Sequence, residues 1–232
     1  MSNLLSPPED PPGTPDAPDR RSVAEVVAIL RQRIVTRILA PGARIRERDI
    51  ATELGASRAV IRDALATLAQ RHLVKRYPNR GAEVARLGRA EILSLYEVRE
   101  GVEGLCARLA TERAPPGHWA DLVALFGAPA EAAIERHAFD IYVGYIVQLD
   151  NRMIAAAANP DLEELLGALA DRSAVLARRS VFLPGRAAQG LVLHRATLDA
   201  MHRRDAVAAE QIKRENLRLA RDYLIRFEEY VV

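Results

Sequence analysis

Residues 51–68 constrain the fold more than any other stretch, because they combine a glycine turn with two helical patterns. Gly55 predicts the end of one helix, since glycine adopts the left-handed conformation at low cost. Ser57 can cap the next helix with its side-chain oxygen, so that helix is expected to begin at Arg58. The spacing predicts two helices joined by a tight turn.

The second of these helices has an apolar face and a basic face. Arg58 and Arg62 lie in its first two turns, away from the apolar side chains. A short helix of this kind fits the major groove of DNA, where its first residues meet base edges and its positive end meets phosphate. An ordinary helical hairpin with exposed arginines is the alternative. The apolar positions are Val60, Ile61, Ala64, Leu65 and Leu68.

Charge is unevenly distributed along the chain. The 232 residues carry a net charge of +2, yet residues 21–88 hold 14 Arg and Lys against 6 Asp and Glu, a net +8. Residues 1–20 carry a net −3 and six prolines, and are expected to form a flexible tail. The charge pattern therefore indicates a polyanion-binding domain at residues 21–88 and a domain with another task at residues 89–232.

Strand patterns flank the two helices. Residues 22–38 follow the spacing of an amphipathic helix, and residues 43–46 that of a small strand. Residues 72–87 predict a hairpin around a turn that contains Arg80 and Gly81. A basic hairpin in this position is a wing, whose tip can contact the sugar-phosphate backbone.

These motifs together resemble the winged-helix domain of GntR-family transcription regulators. The resemblance covers residues 22–88 almost without gaps, although Ala59-Val60 replace the usual Thr-Pro and Asp63 replaces Glu. It implies a winged helix-turn-helix of three helices and a small β-wing that binds double-stranded DNA. The matching core of the motif is Leu54-Gly55-Ala56-Ser57-Arg58-Ala59-Val60-Ile61-Arg62-Asp63-Ala64-Leu65.

The same resemblance implies a set of DNA contacts. Arg58 and Arg62 would read guanine edges or hold phosphates, and Arg48 would touch the backbone. For each of them an exposed charge that contacts no DNA is the alternative. The full set of implied DNA-binding residues is Arg48, Ser57, Arg58, Arg62, Arg80 and Gly81.

From residue 89 onward every segment has a helical pattern, which predicts an all-α bundle of six to seven helices. Asn159 and Asp205 are expected to cap two of these helices. The single cysteine, Cys106, excludes a disulfide framework and is expected to be a small core residue. The expected helices cover residues 89–113, 118–126, 129–158, 160–181, 187–203 and 206–230.

This half of the chain resembles the FCD effector domain of FadR-type GntR regulators. The resemblance implies dimerisation and a central cavity for a small organic acid or acyl compound, often with a divalent metal. The matching pieces are Glu97-Val98-Arg99 with Glu103, Ala157-Ala158-Asn159-Pro160, and His194-Arg195-Ala196-Thr197-Leu198 followed by Arg204-Asp205.

Four polar residues of this half fall on apolar helix stripes: Arg99, Asp150, His194 and Asn216. Unpaired polar groups in an apolar core are costly, so these side chains are expected to meet one another, water, a metal or a ligand. They are the candidate effector-binding residues. A satisfied internal network, for example Arg99 with Glu103 one turn along, is the alternative.

The metal set of the family is degenerate in this sequence. Its usual members are an Asp and a His four residues later on one helix, and a His on each of two later helices. Here Ile146 stands at the Asp position, Asp150 at the first His position and Asn216 at the last, which leaves His194. These donors can hold a divalent cation only weakly, so no tightly bound zinc and no other cofactor is predicted. Arg99 and His194 are then available for an anionic effector.

The sequence therefore predicts a DNA-binding transcription regulator that recognises an inverted-repeat operator as a homodimer and responds to a small acidic effector. It lacks a signal-peptide core and an apolar run that could span a membrane, so a cytoplasmic location is expected. One alternative is a DNA-binding dimer whose bundle is packed and ligand-free. Another is an enzyme that uses Arg99, Asp150 and His194, although no nucleophile with its base accompanies them and the chain is not expected to be one.

Overall fold

A computed structural model describes residues 21–77 and 81–231 of the chain. The proline-rich residues 1–20 and the turn with Arg80 lie outside the described residues. The helices and strands, in chain order, are α1 (Val23–Val35), β1 (Arg44–Ile45), α2 (Glu47–Leu54), α3 (Arg58–Gln70), β2 (Val74–Tyr77), β3 (Gly81–Val84), α4 (Arg89–Arg113), α5 (Ala120–Leu125), α6 (Ala128–Glu135), α7 (Phe139–Ala157), α8 (Pro160–Val181), α9 (Arg186–His202), α10 (Ala206–Arg226) and α11 (Glu228–Val231).

Helices α1 to α3 and a three-stranded antiparallel sheet form a winged helix. The strand order is β1-β3-β2, so the predicted early strand pairs with the predicted hairpin. Helix α1 begins with a capping box between Ser22 and Glu25. The expectation that this helix reaches residue 38 was wrong, because Arg37 adopts a left-handed conformation (φ 62°) and the chain turns away, which leaves Ile38 73% exposed.

Helix α4 is the centre of the bundle and contacts α7, α8, α9 and α10. The predicted caps are confirmed: Asn159 accepts from the backbone N–H of Leu162 at 3.2 Å and Asp205 from that of Ala208 at 3.0 Å. The single helix predicted for residues 129–158 is instead the pair α6 and α7. Its break lies at His137, where φ is 56° and the backbone N–H of Ala138 bonds back to the carbonyl of Ala133 at 2.8 Å.

The winged helix and the bundle share one hydrophobic core. Across their interface Asp171 on α8 pairs with Arg31 on α1 and, at 3.4 Å, with Arg71 at the end of α3. A cavity of about 430 Å³ lies beside this interface, where α1 ends against α8 and α10. The cavity is lined by Arg37, Arg178, Arg179, Phe182, Leu183, Pro184 and Phe227, and the bundle residues of the shared core include Ile92, Leu95, Tyr96, Val175, Leu176, Leu183, Leu217 and Leu224.

Candidate DNA-binding surface and polar cluster

The turn between α2 and α3 has the geometry that its sequence predicts. Gly55 ends α2 in the left-handed region, with φ 62° and ψ 40°. Ser57 caps α3, its hydroxyl oxygen accepting from the backbone N–H of Val60 at 3.3 Å. The inward face of α3 is buried and holds the helix against α1, which fixes the direction of its exposed face. The buried residues of α3 are Ile61, Ala64, Leu65 and Leu68.

The arginines predicted to contact DNA lie on the exposed side of this unit. Arg58 and Arg62 are exposed in the first two turns of α3, and Arg48 is exposed on α2. Arg62 also lies 3.7 Å from a carboxylate oxygen of Glu47, in a loose pair that solvent screens. The surface therefore presents guanidinium groups around the positive end of a capped helix, an arrangement that suits a polyanion.

Gly81 has a role that the sequence did not indicate. Its φ is 80°, and a Cβ atom there would lie 2.5 Å from the carbonyl oxygen of Ile45. Glycine at this position thus lets strand β3 approach β1 closely. Arg80, the other wing residue predicted to contact DNA, lies outside the described residues.

In the bundle, three of the four polar residues predicted to point inward are buried: Arg99, His194 and Asn216. The fourth, Asp150, lies at the edge of the core, with its side chain 36% exposed. They belong to a larger set of polar and aromatic side chains. We call this set the polar cluster, and its members are Tyr96, Arg99, Glu103, Tyr142, Asp150, Arg186, His194, Lys213 and Asn216.

One half of the polar cluster is a chain of ion pairs across three helices. Arg99 Nε donates to Glu103 Oε1 at 2.6 Å, one turn along α4. Lys213 Nζ on α10 lies 3.0 Å from Glu103 Oε2 and 2.8 Å from Asp150 Oδ1 on α7. The internal pair of Arg99 and Glu103 considered from the sequence is therefore present, and Lys213 extends it.

The other half of the polar cluster is uncharged apart from Arg186, at the first position of α9. Arg186 Nη2 donates to Asn216 Oδ1 at 2.7 Å. The hydroxyl of Tyr142 lies 2.8 Å from Nδ1 of His194, and the Phe126 ring packs against the imidazole edge with centroids 5.5 Å apart. These contacts fix the imidazole between α7 and α9.

Burial and neighbouring charge set the protonation states of the polar cluster. Burial, with the nearby charges of Lys213 and Arg186, holds the pKa of His194 well below its usual value, so the imidazole is neutral. Burial opposes ionisation of Glu103, but Arg99 and Lys213 outweigh it and lower the pKa of that carboxyl. The pKa of Lys213 is likewise raised by Asp150 and Glu103 in spite of burial. Both groups of this pair are therefore charged at neutral pH.

Three buried atoms of the polar cluster have no hydrogen-bond partner among the described residues: Tyr96 Oη, Arg99 Nη1 and Arg186 Nε. Arg99 also lies over the Tyr96 ring, its guanidinium carbon 4.6 Å from the ring centroid. Buried polar groups in folded proteins nearly always have a partner. A further polar group beside these atoms would complete their hydrogen bonding.

The polar cluster does not fit a metal ion. Asp150 is engaged by the ammonium of Lys213, Asn216 Oδ1 accepts from Arg186, and His194 Nδ1 bonds to Tyr142. Both oxygen donors of the degenerate metal set therefore already have cationic partners, which leaves the imidazole of His194 as a single ligand. Within residues 21–77 and 81–231, no three His, Cys, Asp or Glu side chains come together as a metal site.

Sequence reasoning missed Lys213, Arg186 and the two tyrosines. Lys213 lies on the buried face of α10, although lysine is rarely buried. The apolar stripe predicted around Asn216 consists of Ile212, Leu219 and Tyr223, whereas the residues buried beside Asn216 are Ala209, Lys213, Leu217, Ala220 and Leu224. The predicted helix begins at residue 187, whereas α9 begins one residue earlier, at Arg186. Cys106 is buried as predicted.

In the described part of the chain, none of the helices is sufficiently long and apolar to span a membrane.

Two family models match the chain in succession. Residues 22–84 match the gntR family of bacterial regulatory proteins, and residues 94–219, more than half of the chain, match the FCD domain. The winged helix falls within the first match, and all members of the polar cluster fall within the second.

Individual proteins agree with these matches. A regulator of the helix-turn-helix type from Agrobacterium vitis, in the TAR-I ttuE-ttuC' intergenic region, is 34% identical over 56% of this chain and 77% of its own length. Another, from an unstable DNA locus of Streptomyces ambofaciens, is 37% identical, but the alignment spans only 36% of each protein. The solved structure of McbR/YncC from E. coli has the same fold, with a TM-score of 0.73 at 19% identity over 90% of this chain and 98% of that one. The chain is therefore a DNA-binding transcription regulator of the GntR family, with an FCD domain as its second part.

Proposed function

We propose that this regulator binds an inverted-repeat operator as a homodimer, and that a small acidic effector bound in the polar cluster changes its affinity for DNA. In this proposal residues 21–88 are the DNA-binding domain and residues 89–232 the effector and dimerisation domain. The polar cluster binds its ligand without catalysing a reaction. The observation that supports the effector most directly is the group of three buried donors without a partner, on Tyr96, Arg99 and Arg186.

For DNA, the proposal assigns base and phosphate contacts to Arg58 and Arg62 and a backbone contact to Arg48. Ser57 caps α3 and, like Arg80 and Gly81 of the wing, is proposed to lie against the sugar-phosphate backbone. A duplex selected from a random library by the purified protein should contain two half-sites in inverted orientation. A selected site without two-fold symmetry would contradict the proposed dimeric recognition.

Substitution of Arg58 tests the recognition helix. Arg58→Ala should weaken binding to the selected duplex by about 1–3 kcal/mol, since a guanidinium contact with a base edge is lost. Arg136→Ala removes the same charge from an exposed position at the end of α6, remote from α3, and serves as the control. Equal affinity of the two variants, measured by fluorescence anisotropy, would remove Arg58 from the interface.

For the dimer, the proposal uses an exposed apolar stripe on α4. Val98 is 50% exposed and Leu105 41%, with Gly101 exposed between them, and this spacing places all three on one side of the helix. Such a stripe can pack against its copy about a two-fold axis. Val98→Asp combined with Leu105→Asp should yield a monomer by light scattering, and a dimer that persists would place the interface elsewhere.

For the effector, charge supports an acid. The polar cluster contains three cationic side chains, on Arg99, Arg186 and Lys213, against two carboxylates, so one positive charge is in excess around a neutral His194. A single carboxylate or a similar anion would offset it and would accept hydrogen bonds from the unpartnered guanidinium nitrogens. Asp150, His194 and Asn216 are proposed to shape the remainder of the site.

A route from this site to DNA runs along α4. Tyr96 and Arg99 lie two to three turns from the start of that helix, and Tyr96 is also part of the core shared with the winged helix. An effector that bonds to these two residues contacts the element that carries the DNA-binding domain. Effector binding can alter DNA affinity only if the ligand favours one arrangement of the dimer over another.

A thermal-shift screen tests the effector. Monocarboxylates, dicarboxylates and neutral sugars would be compared, and an acid at roughly 100 times its Kd should stabilise the protein by about 2.7 kcal/mol. Arg186→Gln should abolish the response, while Arg136→Gln should leave it unchanged. A response to neutral sugars alone would contradict the acidic effector.

The ion-pair chain from Arg99 to Asp150 favours one second candidate, a packed bundle that binds no ligand. Arg99→Leu distinguishes the two. In a packed bundle the variant leaves DNA binding intact and lowers stability, because the buried carboxylate of Glu103 loses one of its two cationic partners. In an effector site it abolishes the response to the acid.

A further inference from the structure

Lys213 occupies a position where three helices meet. Its residue is 5% exposed, and its ammonium lies between the carboxylates of Glu103 on α4 and Asp150 on α7, at 3.0 and 2.8 Å. Glu103 is further held by Arg99 at 2.6 Å. Two carboxylates from different helices thus converge on one nitrogen atom that α10 supplies.

A cation at this point is needed for electrostatic reasons. Two carboxylates that face each other at the edge of an apolar core repel, and a cation between them offsets this repulsion. Oxygen ligands from two helices are also an arrangement that attracts a hard divalent cation. In this chain the ammonium of Lys213 occupies the space between the oxygens, and its charge satisfies both of them.

We propose that Lys213 is a built-in cation that replaces a divalent metal ion in the bundle, so that the effector site forms and binds without metal. The effector part of this inference rests on the proposed function, whereas the replacement of the metal does not. Lys213 is a positioning residue in this account: its ammonium ties α10 to α4 and α7 through one carboxylate on each of those helices.

The replacement also bears on the ligand. Lys213 has three N–H donors, and the described residues supply two acceptors for them, Glu103 and Asp150. The third donor can bond to a carboxylate that Arg99 and Arg186 also bind. Because an ammonium carries one positive charge where a divalent metal carries two, the site suits a monoanion better than a dianion.

The first test uses the unaltered protein, without DNA or effector. Treatment with EDTA and addition of MnCl2 should each leave its melting temperature unchanged, and native mass spectrometry should show no bound metal. A fall in melting temperature after chelation, or stoichiometric metal on the purified protein, would overturn the proposal.

The second test removes the ammonium. Lys213→Met has a side chain of similar length without charge, so Glu103 and Asp150 should now accept a metal ion. Its melting temperature should fall and then rise again with MnCl2 in a concentration-dependent manner. Lys213→Met combined with Asp150→Asn is the matched control, and it should lose the metal response because one of the two carboxylates is gone.

The outcomes separate this proposal from the proposed function. A Lys213→Met protein that folds but gains nothing from MnCl2 would show that the ammonium does not stand in a metal's place. Should that variant fail to fold, Asp150→Asn is tested with Lys213 retained, since it opens the site while keeping the ion pair with Glu103. A melting temperature raised by MnCl2 would contradict the proposal. A melting temperature that MnCl2 leaves unchanged would support it. Failure of every acid to bind the unaltered protein would count against the effector alone.

Discussion

Gly190 on α9 leaves space that the Arg186 guanidinium fills. A Cβ atom at position 190 would collide with Nη1 of Arg186, which lies one turn earlier on the same helix. The guanidinium crosses the glycine to reach Asn216 on α10. Gly190→Ala must therefore displace the guanidinium from its partner or distort the helix.

The size of the effect follows from the contacts that are lost. Arg186 Nη2 donates to Asn216 Oδ1 at 2.7 Å and to the Asn216 carbonyl at 3.3 Å. A buried hydrogen bond made by a charged group contributes about 1.5–3 kcal/mol, while alanine in a helix interior gains roughly 0.5–1 kcal/mol over glycine. The net loss of unfolding free energy should be about 1–2 kcal/mol, equivalent to a Tm lower by roughly 2–8 °C.

Urea and thermal unfolding measure this loss. Gly167→Ala on α8 is the matched control, because a Cβ atom there meets nothing within 4 Å and should stabilise the protein by helix propensity alone. In an Arg186→Ala background, Gly190→Ala should become stabilising as well, since the collision is gone. If Gly190→Ala stabilises the unaltered protein as Gly167→Ala does, the position assigned to the Arg186 guanidinium is refuted.

Three further predictions concern the interface, pH and the cysteine. Asp171→Asn removes the ion pairs with Arg31 and Arg71. Because these arginines are partly exposed, the unfolding free energy measured in urea should fall by about 0.5–1 kcal/mol. The control Glu164→Gln, at an exposed position on the same helix, should change the unfolding free energy less. The folded-state pKa of His194 is depressed, so stability should be complete above about pH 6.5 and decline as the pH falls through that value. His194→Gln should flatten this decline in unfolding measured between about pH 7 and 5, and an unchanged slope would assign the decline to other groups. Burial raises the pKa of Cys106 to about 12, so iodoacetamide at neutral pH should label it only after unfolding, and rapid labelling of the folded protein would contradict this burial.

The winged helix could be predicted from sequence because its signals are local. Gly55 must accept a positive φ and Ser57 must supply a capping oxygen, and both requirements are visible in the residue types themselves. The break at His137 has no such signal. His137 is not a glycine, yet it adopts the left-handed conformation between α6, which contacts α5 and α9, and α7, which contacts α4 and α8. These contacts are tertiary and leave no local signal in the sequence.

The polar cluster could be predicted only in part, for a similar reason. Arg99 and His194 stand out because charge or polarity on an apolar stripe is unexpected. Lys213 and Arg186 carry no such signal, since long basic side chains usually extend to solvent. Their burial depends on carboxylate and amide partners from other helices, which no helical period can reveal.

The shared core between the winged helix and the bundle has a consequence for operator length. Because apolar side chains of α4, α8 and α10 pack directly against the winged helix, no flexible segment separates the recognition helix from the proposed dimer axis. In each arrangement of the proposed dimer, the distance and angle between the two recognition helices are then set by protomer packing and not by a linker. One added base pair rotates a half-site by roughly 36° and shifts it by about 3.4 Å. Such a dimer cannot move its second recognition helix far enough to contact the displaced half-site. Operators of this regulator should therefore tolerate changes within a half-site more readily than any change in the spacer.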